Sequence, residues 1–344
     1  MPNNGTIVAH APCRVDLAGG TLDIWPLYLF HLQPDAVTVN FAVTIFTHCR
    51  VSALPGKQIR LKSVDTKREE QFASLEELCA TGKCKHALAA QVVRFFAPDG
   101  GFEMETNSEA PAGAGISGSS ALIIASIAAM ARFTGRKLNR EEMLVVAQNV
   151  EAQLIRVPTG CQDYYPAVYG GLSAVHLRVD GVRREAIAVP PEELDQRFIL
   201  AYTGVPRQSG INNWEVFQAH IRGDRHVFHN FERIAEIARA MHAALARADW
   251  DNVARLMREE WKLRKANSPR ITTRVIEKLV AVALRNGARA AKVCGAGGGG
   301  CVVFLTDPED RDRAVAAIRS YGGQVLPAEV ARDGLTLSGR MVPS

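Results

Sequence analysis

The sequence predicts an α+β protein of two domains, and three observations carry that prediction. The 344 residues are 47% hydrophobic and 22% charged, enough chain and enough apolar side chain to bury a sizeable core in each of two units. Up to the Pro190-Pro191 pair, alternating apolar runs such as 36–54 and 172–179 have strand periodicity and flank two helical patterns. Beyond it, short apolar runs alternate with longer helical ones, the order of a second α+β layer. No repeat, low-complexity tract or Pro/Ser-rich linker divides the chain, so the expected units, 1–190 and 191–344, rest on this change of pattern.

In the first unit, one helix is expected from Ser119 to Phe133 with Gly135 as its stop. A second opens at Asn139, has Glu142 three residues on as in an Asn-led capping box, and runs to Leu154. In the second unit, RFILAYTGV reads as a buried strand, followed by helices over 227–248 and 251–266 and a third that ends at Gly287. AAKV, a glycine loop, CVVFL, a charged helix over 309–321 and GQVLPAEV complete the chain.

Several classes are excluded. No run approaches the roughly eighteen apolar residues of a membrane span, and MPNNGTIVAH has no basic region ahead of an apolar one, so a cytoplasmic protein without membrane contact is expected. Seven cysteines, odd in number and scattered, form neither a disulfide framework nor zinc spacings and are expected as reduced thiols. The +5 formal charge is mild, and basic residues do not interleave with aromatics as a nucleic-acid surface requires.

Three glycine-bearing motifs carry the chemistry. Pro111-Ala-Gly113-Ala114-Gly115-Ile116-Ser117-Gly118-Ser119-Ser120-Ala121 runs directly into the helical segment LIIASIAAMARF. Such a loop lets backbone amides approach an anion, and the helix start adds unpaired N–H groups and a positive dipole end, which is how a phosphate is held. A Gly/Ser turn capping a core helix explains the same residues if the loop is taken alone. The absence of Gly-Lys-Ser/Thr excludes a Walker loop. Near the N-terminus, Ala11-Pro-Cys-Arg14-Val-Asp-Leu-Ala-Gly-Gly20-Thr21-Leu-Asp23 combines a guanidinium with a carboxylate nine residues later. The guanidinium can neutralise a phosphoryl group or hold a carboxylate ionised, and the carboxylate can accept hydroxyl hydrogen bonds. The plainer alternatives are a strand-end charge for Arg14 and a helix cap for Asp23. Third, Lys292-Val-Cys-Gly-Ala-Gly297-Gly298-Gly-Gly-Cys301 places five glycines in six residues between two apolar runs, more than a bare hairpin explains.

These motifs resemble, in order, those of the GHMP kinases, named for galactokinase, homoserine, mevalonate and phosphomevalonate kinases. The phosphate loop departs from the family pattern at Ile116, usually Leu, and at Gly118, often Ser. The Gly-Gly-Thr-Leu-Asp stretch is nearer the form of heptose-phosphate and fucose kinases than the Gly-Glu-His form of galactokinase and mevalonate kinase. The resemblance spans Ala11 to Phe304 and implies the family fold: an N-terminal unit like domain 2 of ribosomal protein S5, a ferredoxin-like C-terminal unit, and ATP in the cleft between.

It also implies roles. Loop residues 111–120 would bind ATP, and Ser119 would be the hydroxyl ligand of Mg²⁺, with Ser120 the alternative if the register slips by one. Val150-Glu151 and the Gly-Cys-Gln-Asp163 segment look like the family's metal-ligand Glu and catalytic Asp. Glu151 and Ser119 offer the hard oxygen donors Mg²⁺ takes, Asp163 would accept the acceptor-hydroxyl proton, and Arg14 would keep it ionised. Gly20, Thr21, Asp23, Asp163, Gly297, Gly298 and Arg207 would contact substrate. Tyr202-Thr-Gly-Val-Pro-Arg207-Gln-Ser209-Gly210 resembles a Thr-Gly-x-x-Arg-x-Ser element of the heptose-7-phosphate and fucose kinases, although a turn with a solvent-facing Arg fits as well. Cys161, with no His nearby in sequence, is expected as a packed thiol.

The expected activity is ATP-dependent phosphotransfer to a hydroxyl of a sugar or sugar phosphate, in the group of heptose 7-phosphate kinase, fucokinase and galactokinase-like enzymes. A mevalonate-type alcohol kinase and a catalytically silent ATP- and sugar-binding sensor are the alternatives. The expected assembly is a monomer or homodimer.

Overall fold

The computed structural model describes residues 5–33, 35–207 and 211–338. The first unit contributes β1 (Ile7–Ala18), β2 (Ala36–Leu54), β3 (Ile59–Ser63), β4 (Arg68–Phe72), α1 (Leu75–Ala80), α2 (Ala87–Phe96), β5 (Gly101–Ser108), α3 (Gly118–Thr134), α4 (Arg140–Ile155), α5 (Tyr164–Tyr169), β6 (Leu172–Arg178) and β7 (Gly181–Ala186). The second contributes α6 (Pro191–Arg197), β8 (Phe198–Tyr202), α7 (Ile211–Ile221), α8 (Arg225–Ala246), α9 (Trp250–Asn267), α10 (Arg274–Arg285), β9 (Ala288–Val293), β10 (Cys301–Thr306), α11 (Arg311–Ser320), β11 (Gln324–Val325) and β12 (Thr336–Ser338).

The run over 36–54 is one strand of 19 residues. One edge pairs with β1, while the other pairs first with β6 over Ala36–Phe41 and then with β5 over Thr47–Leu54. With β3, β4, β7 and β12 they form an eight-stranded sheet, antiparallel except where β3 runs parallel to β5. The C-terminal end thus returns to the first sheet: β12 pairs with β1, and Val330 bridges Val43. The second sheet has the order β11-β8-β10-β9, all antiparallel. Numbered within that unit the order is 4-1-3-2 with helices after strands 1 and 3, the ferredoxin-like arrangement that the family resemblance implies.

Strand alternation sorts the second sheet's side chains into two cores. Ile199, Ala201, Val302 and Phe304 pack with Ile276, Leu279, Ala314 and Ile318 of α10 and α11. Leu200, Tyr202, Val303 and Leu305 join the larger core that contains the first sheet. Phe41 and Phe198, ring centroids 5.3 Å apart, connect the two sheets directly.

The anticipated helices form with ends within about two residues of those read from the sequence. Gly135 caps α3 in the left-handed region, and Asn139 with Glu142 makes a full capping box at α4. The run after Asp23 does not make the helix that Asp23 was weighed as capping. Only a single 3₁₀ turn, Leu27–Phe30, forms, and it follows Pro26. Among the described residues no helix is long and apolar enough to cross a membrane, and all seven cysteines are free.

Candidate active site

The three glycine motifs, far apart in sequence, meet through backbone hydrogen bonds. Cys301 N donates to Ala114 O at 2.7 Å, Arg207 N to Gly113 O at 3.1 Å, Gly300 N to Val205 O at 2.8 Å and Arg14 N to Ile116 O at 3.0 Å. Glycine is required at two of the crossings. Gly115 has φ of +79° and a Cβ there would lie 2.7 Å from Cys294 O; Gly297 has the same φ and a Cβ would lie 2.3 Å from Ile271 O.

Between these loops opens a cleft of about 670 Å³, large enough for a small substrate. Arg14, Gly20, Thr21, Asp23, Ser117, Ser119, Ser120, Glu151, Asp163 and Arg207 all line it. Pro111, Gly113, Ala114, Gly115, Ile116 and Gly118 do not; they shape the turn behind it, with Ala114 and Ile116 in the core. Of the third loop it is Gly295 and Ala296 that face the cleft. Gly297 and Gly298, expected to meet substrate, instead sit against Ile271, whose carbonyl accepts from Gly298 N at 2.8 Å. Ser209 lies outside the described residues.

The carboxylates are held in three different ways. Glu151, on the buried face of α4, accepts Ser119 Oγ at 3.1 Å, Ser120 Oγ at 3.0 Å and the Tyr164 hydroxyl. Burial raises its pKa, which the three hydroxyl donors counter. Asp163 sits at the start of α5 and receives Arg14 Nε at 2.9 Å and Nη2 at 2.7 Å. The same guanidinium donates to Gly115 O at 3.1 Å, tying Asp163 to the glycine loop ahead of α3. Asp23 is 3% exposed and accepts Gln162 N at 2.9 Å; burial, then the charge of Asp163, pushes its pKa up to about 7.

The start of α3 is built for an anion. Ser117, in the N-cap position with φ of +60°, makes no side-chain capping bond, and its buried Oγ has no partner among the described residues. The N–H groups of the first helical turn have no partners within a helix. Arg207 lines the cleft close to both loops. A Cβ at Gly295 would lie 2.7 Å from Arg207 Nη1, and one at Gly115 3.4 Å from its Cδ. Burial and the nearby charge of Arg14 lower its pKa, so an anion beside it would be strongly favoured. The residues fit Mg²⁺ by their donors: the Glu151 carboxylate and the Ser119 hydroxyl are hard oxygens, next to the glycine loop and the start of α3.

A second buried cluster was not assigned from the sequence. Lys292 Nζ donates to Asp16 Oδ2 at 2.9 Å and to Glu260 Oε2 at 3.2 Å, and Arg264 donates to Asp16 at 3.3 Å and to Gly295 O at 2.7 Å. These cations hold the Asp16 carboxyl far below the usual carboxylate range. Asp16 and Lys292 stand inside motifs one and three, but no spacing couples them to Glu260 and Arg264 on α9. Gln162 and Tyr164, which position Asp23 and Glu151, were also missed. Their one signal is adjacency to Asp163. Asn213, Trp214 and Gln218 reach the cleft from α7, and Thr21 Oγ1 donates to Asn213 Oδ1 at 3.3 Å.

A helix start with unpaired amides, a hydroxyl-bound glutamate and an Arg-clamped aspartate in one cleft are the parts a phosphotransferase site needs. The chain matches the GHMP kinases N terminal domain over residues 83–171 and the GHMP kinases C terminal domain over residues 241–324. It belongs to the GHMP kinase family and is an ATP-dependent phosphotransferase with a hydroxyl acceptor. It is 27% identical to the D-glycero-alpha-D-manno-heptose 7-phosphate kinase of Campylobacter jejuni, over 96% of this chain and 98% of that one. In fold it is similar to a D-glycero-D-manno-heptose 1-phosphate kinase from Bacteroides thetaiotaomicron, with TM-score 0.77 and 22% identity over 96% and 98% of the two chains. It is also similar to the galactokinase of Lactococcus lactis, with TM-score 0.81 and 18% identity over 96% and 95%.

Proposed function

We propose that this chain transfers the γ-phosphoryl group of ATP to a hydroxyl of a sugar phosphate, in the manner of a heptose 7-phosphate kinase. The observation that carries the reading is the mixed lining of the cleft. Asp23 and Asp163 offer acceptors for sugar hydroxyls, while Arg207, whose guanidinium has no hydrogen-bond partner among the described residues, stands beside the phosphate loop. A polyhydroxylated acceptor that carries its own phosphate uses both features.

Within this reading Asp163 accepts the proton of the acceptor hydroxyl as its oxygen bonds to the γ-phosphorus and the β–γ bridging bond breaks. Arg14 fixes that carboxylate. The α3 amides with Ser117 and Ser120 bind the phosphates. Ser119 and Glu151 would hold Mg²⁺, which neutralises phosphate charge when bound. Tyr164 orients Glu151, and Gln162 orients Asp23. The unit boundary is proposed at Pro190-Pro191, between the last strand of the first sheet's β6–β7 hairpin and the second sheet, with ATP and acceptor between the two units. Seven free thiols agree with a reducing, cytoplasmic setting, and a monomer or homodimer suffices because the described chain itself supplies every group named.

The test is ADP release by purified protein with Mg-ATP against free sugars, heptose 7-phosphate and 1-phosphate, other sugar phosphates, mevalonate and homoserine. Turnover highest on a sugar phosphate, with the unphosphorylated sugar poorer chiefly in KM, supports the reading. Preference for mevalonate or a free sugar overturns it, and ATP binding without turnover on any acceptor points to a silent sensor.

A further inference from the structure

A group of side chains outside the cleft has ligand atoms gathered at one point. His176 on β6, Glu185 on β7 and His242 on α8 each present one such atom, all within 4.8 Å of one another. His176 Nε2 lies 2.9 Å from Glu185 Oε2, His242 Nε2 lies 3.3 Å from Glu185 Oε1, and the two rings meet edge to face with centroids 5.4 Å apart. No other group of three such residues among the described ones comes this close.

We propose that His176, Glu185 and His242 form a site for a divalent transition metal of the zinc class. Zinc–nitrogen and zinc–oxygen bonds of about 2.0–2.2 Å in tetrahedral geometry separate neighbouring ligand atoms by roughly 3.4 Å. The two imidazole-to-carboxylate separations, each to a different oxygen of Glu185, lie near that value, and with all three ligand atoms within 4.8 Å of one another seating an ion between them draws the two imidazoles together. Two imidazoles and a carboxylate suit Zn²⁺ or Co²⁺ and are poor ligands for Mg²⁺, which takes oxygen donors. The site is therefore chemically distinct from the all-oxygen donor set of Ser119 and Glu151. The two His side chains are about one-fifth exposed and Glu185 about one-half, which leaves the fourth position open to water.

The placement gives the ion a mechanical consequence. β6 and β7 form a hairpin of the first sheet, whereas α8 belongs to the second unit and directly follows α7, which lines the cleft with Asn213, Trp214 and Gln218. A metal bridging 176, 185 and 242, none of which lines the cleft, ties the two units together. Stability rises with free metal as binding to the folded state alone requires.

The experiment uses the full chain without an affinity tag, stripped with chelator and held in millimolar Mg²⁺. Co²⁺ is added while its ligand-field absorption is followed, and Zn²⁺ is then titrated by calorimetry. One equivalent is expected to bind, with affinity reduced more than about tenfold in His242→Ala and in Glu185→Gln, and Zn²⁺ is expected to raise Tm in the parent but not in these variants. Absence of saturable binding, or binding that both variants retain unchanged, overturns the proposal. Should either variant fail to fold, ring ¹⁵N shifts of His176 and His242 in the parent decide the matter. Both move on Zn²⁺ addition if these imidazoles are ligands, and unmoved rings reject the site.

Discussion

Arg14 grips Asp163 by a single oxygen: Nε and Nη2 both donate to Oδ1, at 2.9 and 2.7 Å. A guanidinium ordinarily spreads its fork over both carboxylate oxygens. Here the fork converges on one, and Oδ2 accepts nothing from the described residues while the side chain stays about one-quarter exposed to the cleft. Arg14 cannot readily shift, since it also donates to Gly115 O and to Asp16. One carboxylate oxygen is thus anchored and the other presented.

Asp163→Asn retains the shape and an oxygen for Arg14 but removes the carboxylate proposed to take the acceptor proton. Loss of general-base help lowers kcat by about 10²–10⁴-fold, with the KM for ATP changed little. Steady-state ADP release with the preferred acceptor and equilibrium nucleotide binding together check this. A variant with near-parental kcat would show that Asp163 does not take the proton.

Glu151→Gln keeps a partner for Ser119, Ser120 and Tyr164 while deleting the charge. Burial already disfavours that charge and raises the carboxyl pKa, so Tm at neutral pH is expected to hold or rise. The magnesium concentration giving half-maximal activity is expected to increase by more than about tenfold, because a hard cation loses its one anionic protein ligand of the pair. A titration of rate against free Mg²⁺ at saturating ATP separates the two effects. An unaltered magnesium dependence rejects Glu151 as a ligand.

How much of this site the sequence disclosed follows from how each part is built. The phosphate turn, Arg14 and Asp163 lie in contiguous motifs whose glycines and charges are visible in one dimension, and α3 and α4 carry their own stop and cap residues. The ion cluster Asp16–Lys292–Glu260–Arg264 was not legible because it is a tertiary meeting of β1, β9 and α9, and nothing local distinguishes Glu260 from the solvated acids beside it on the helix. The same reason hid Asn213. The motif of Gly297 and Gly298 suggests substrate contact, but the positive φ of Gly297 accompanies close packing on Ile271, whose carbonyl also accepts from Gly298 N. Local pattern reports a backbone need for glycine without saying whether a ligand or a neighbouring segment of the chain imposes it.

Lys292→Met tests that cluster. The lysine is fully buried between Asp16 and Glu260, and its removal leaves Glu260 buried with no cation in contact and Asp16 with fewer. Breaking a buried ion network from one side costs about 3–5 kcal/mol. Urea unfolding of the variant should show its midpoint lowered accordingly. A double variant, Lys292→Met with Glu260→Leu, is expected to recover part of the loss; without recovery, the cost arises from packing rather than from stranded charge.

Asp23 predicts a pH dependence whose sign can be worked out. Its carboxyl has a folded-state pKa of about 7 through burial and the neighbouring Asp163 charge, against about 3.9 in an unfolded chain. Between those values the native protein keeps a proton that the unfolded chain releases. Stability from this group is therefore complete below about pH 4 and is lost as pH rises through about 7. Asp23→Asn removes the penalty, so the variant should be more stable than the parent at pH 8, by about 4 kcal/mol at most, with a correspondingly higher Tm, and should match it near pH 4. Function moves the other way. An ionised Asp23 accepts acceptor hydroxyls more strongly than a protonated one, so the acceptor KM of the parent should fall as pH rises through about 7, while the variant shows a higher KM without that trend. Thermal melts and acceptor KM measured across pH 5–9 give both readings from the same two proteins, and a Tm difference that does not grow with pH would place the Asp23 proton elsewhere.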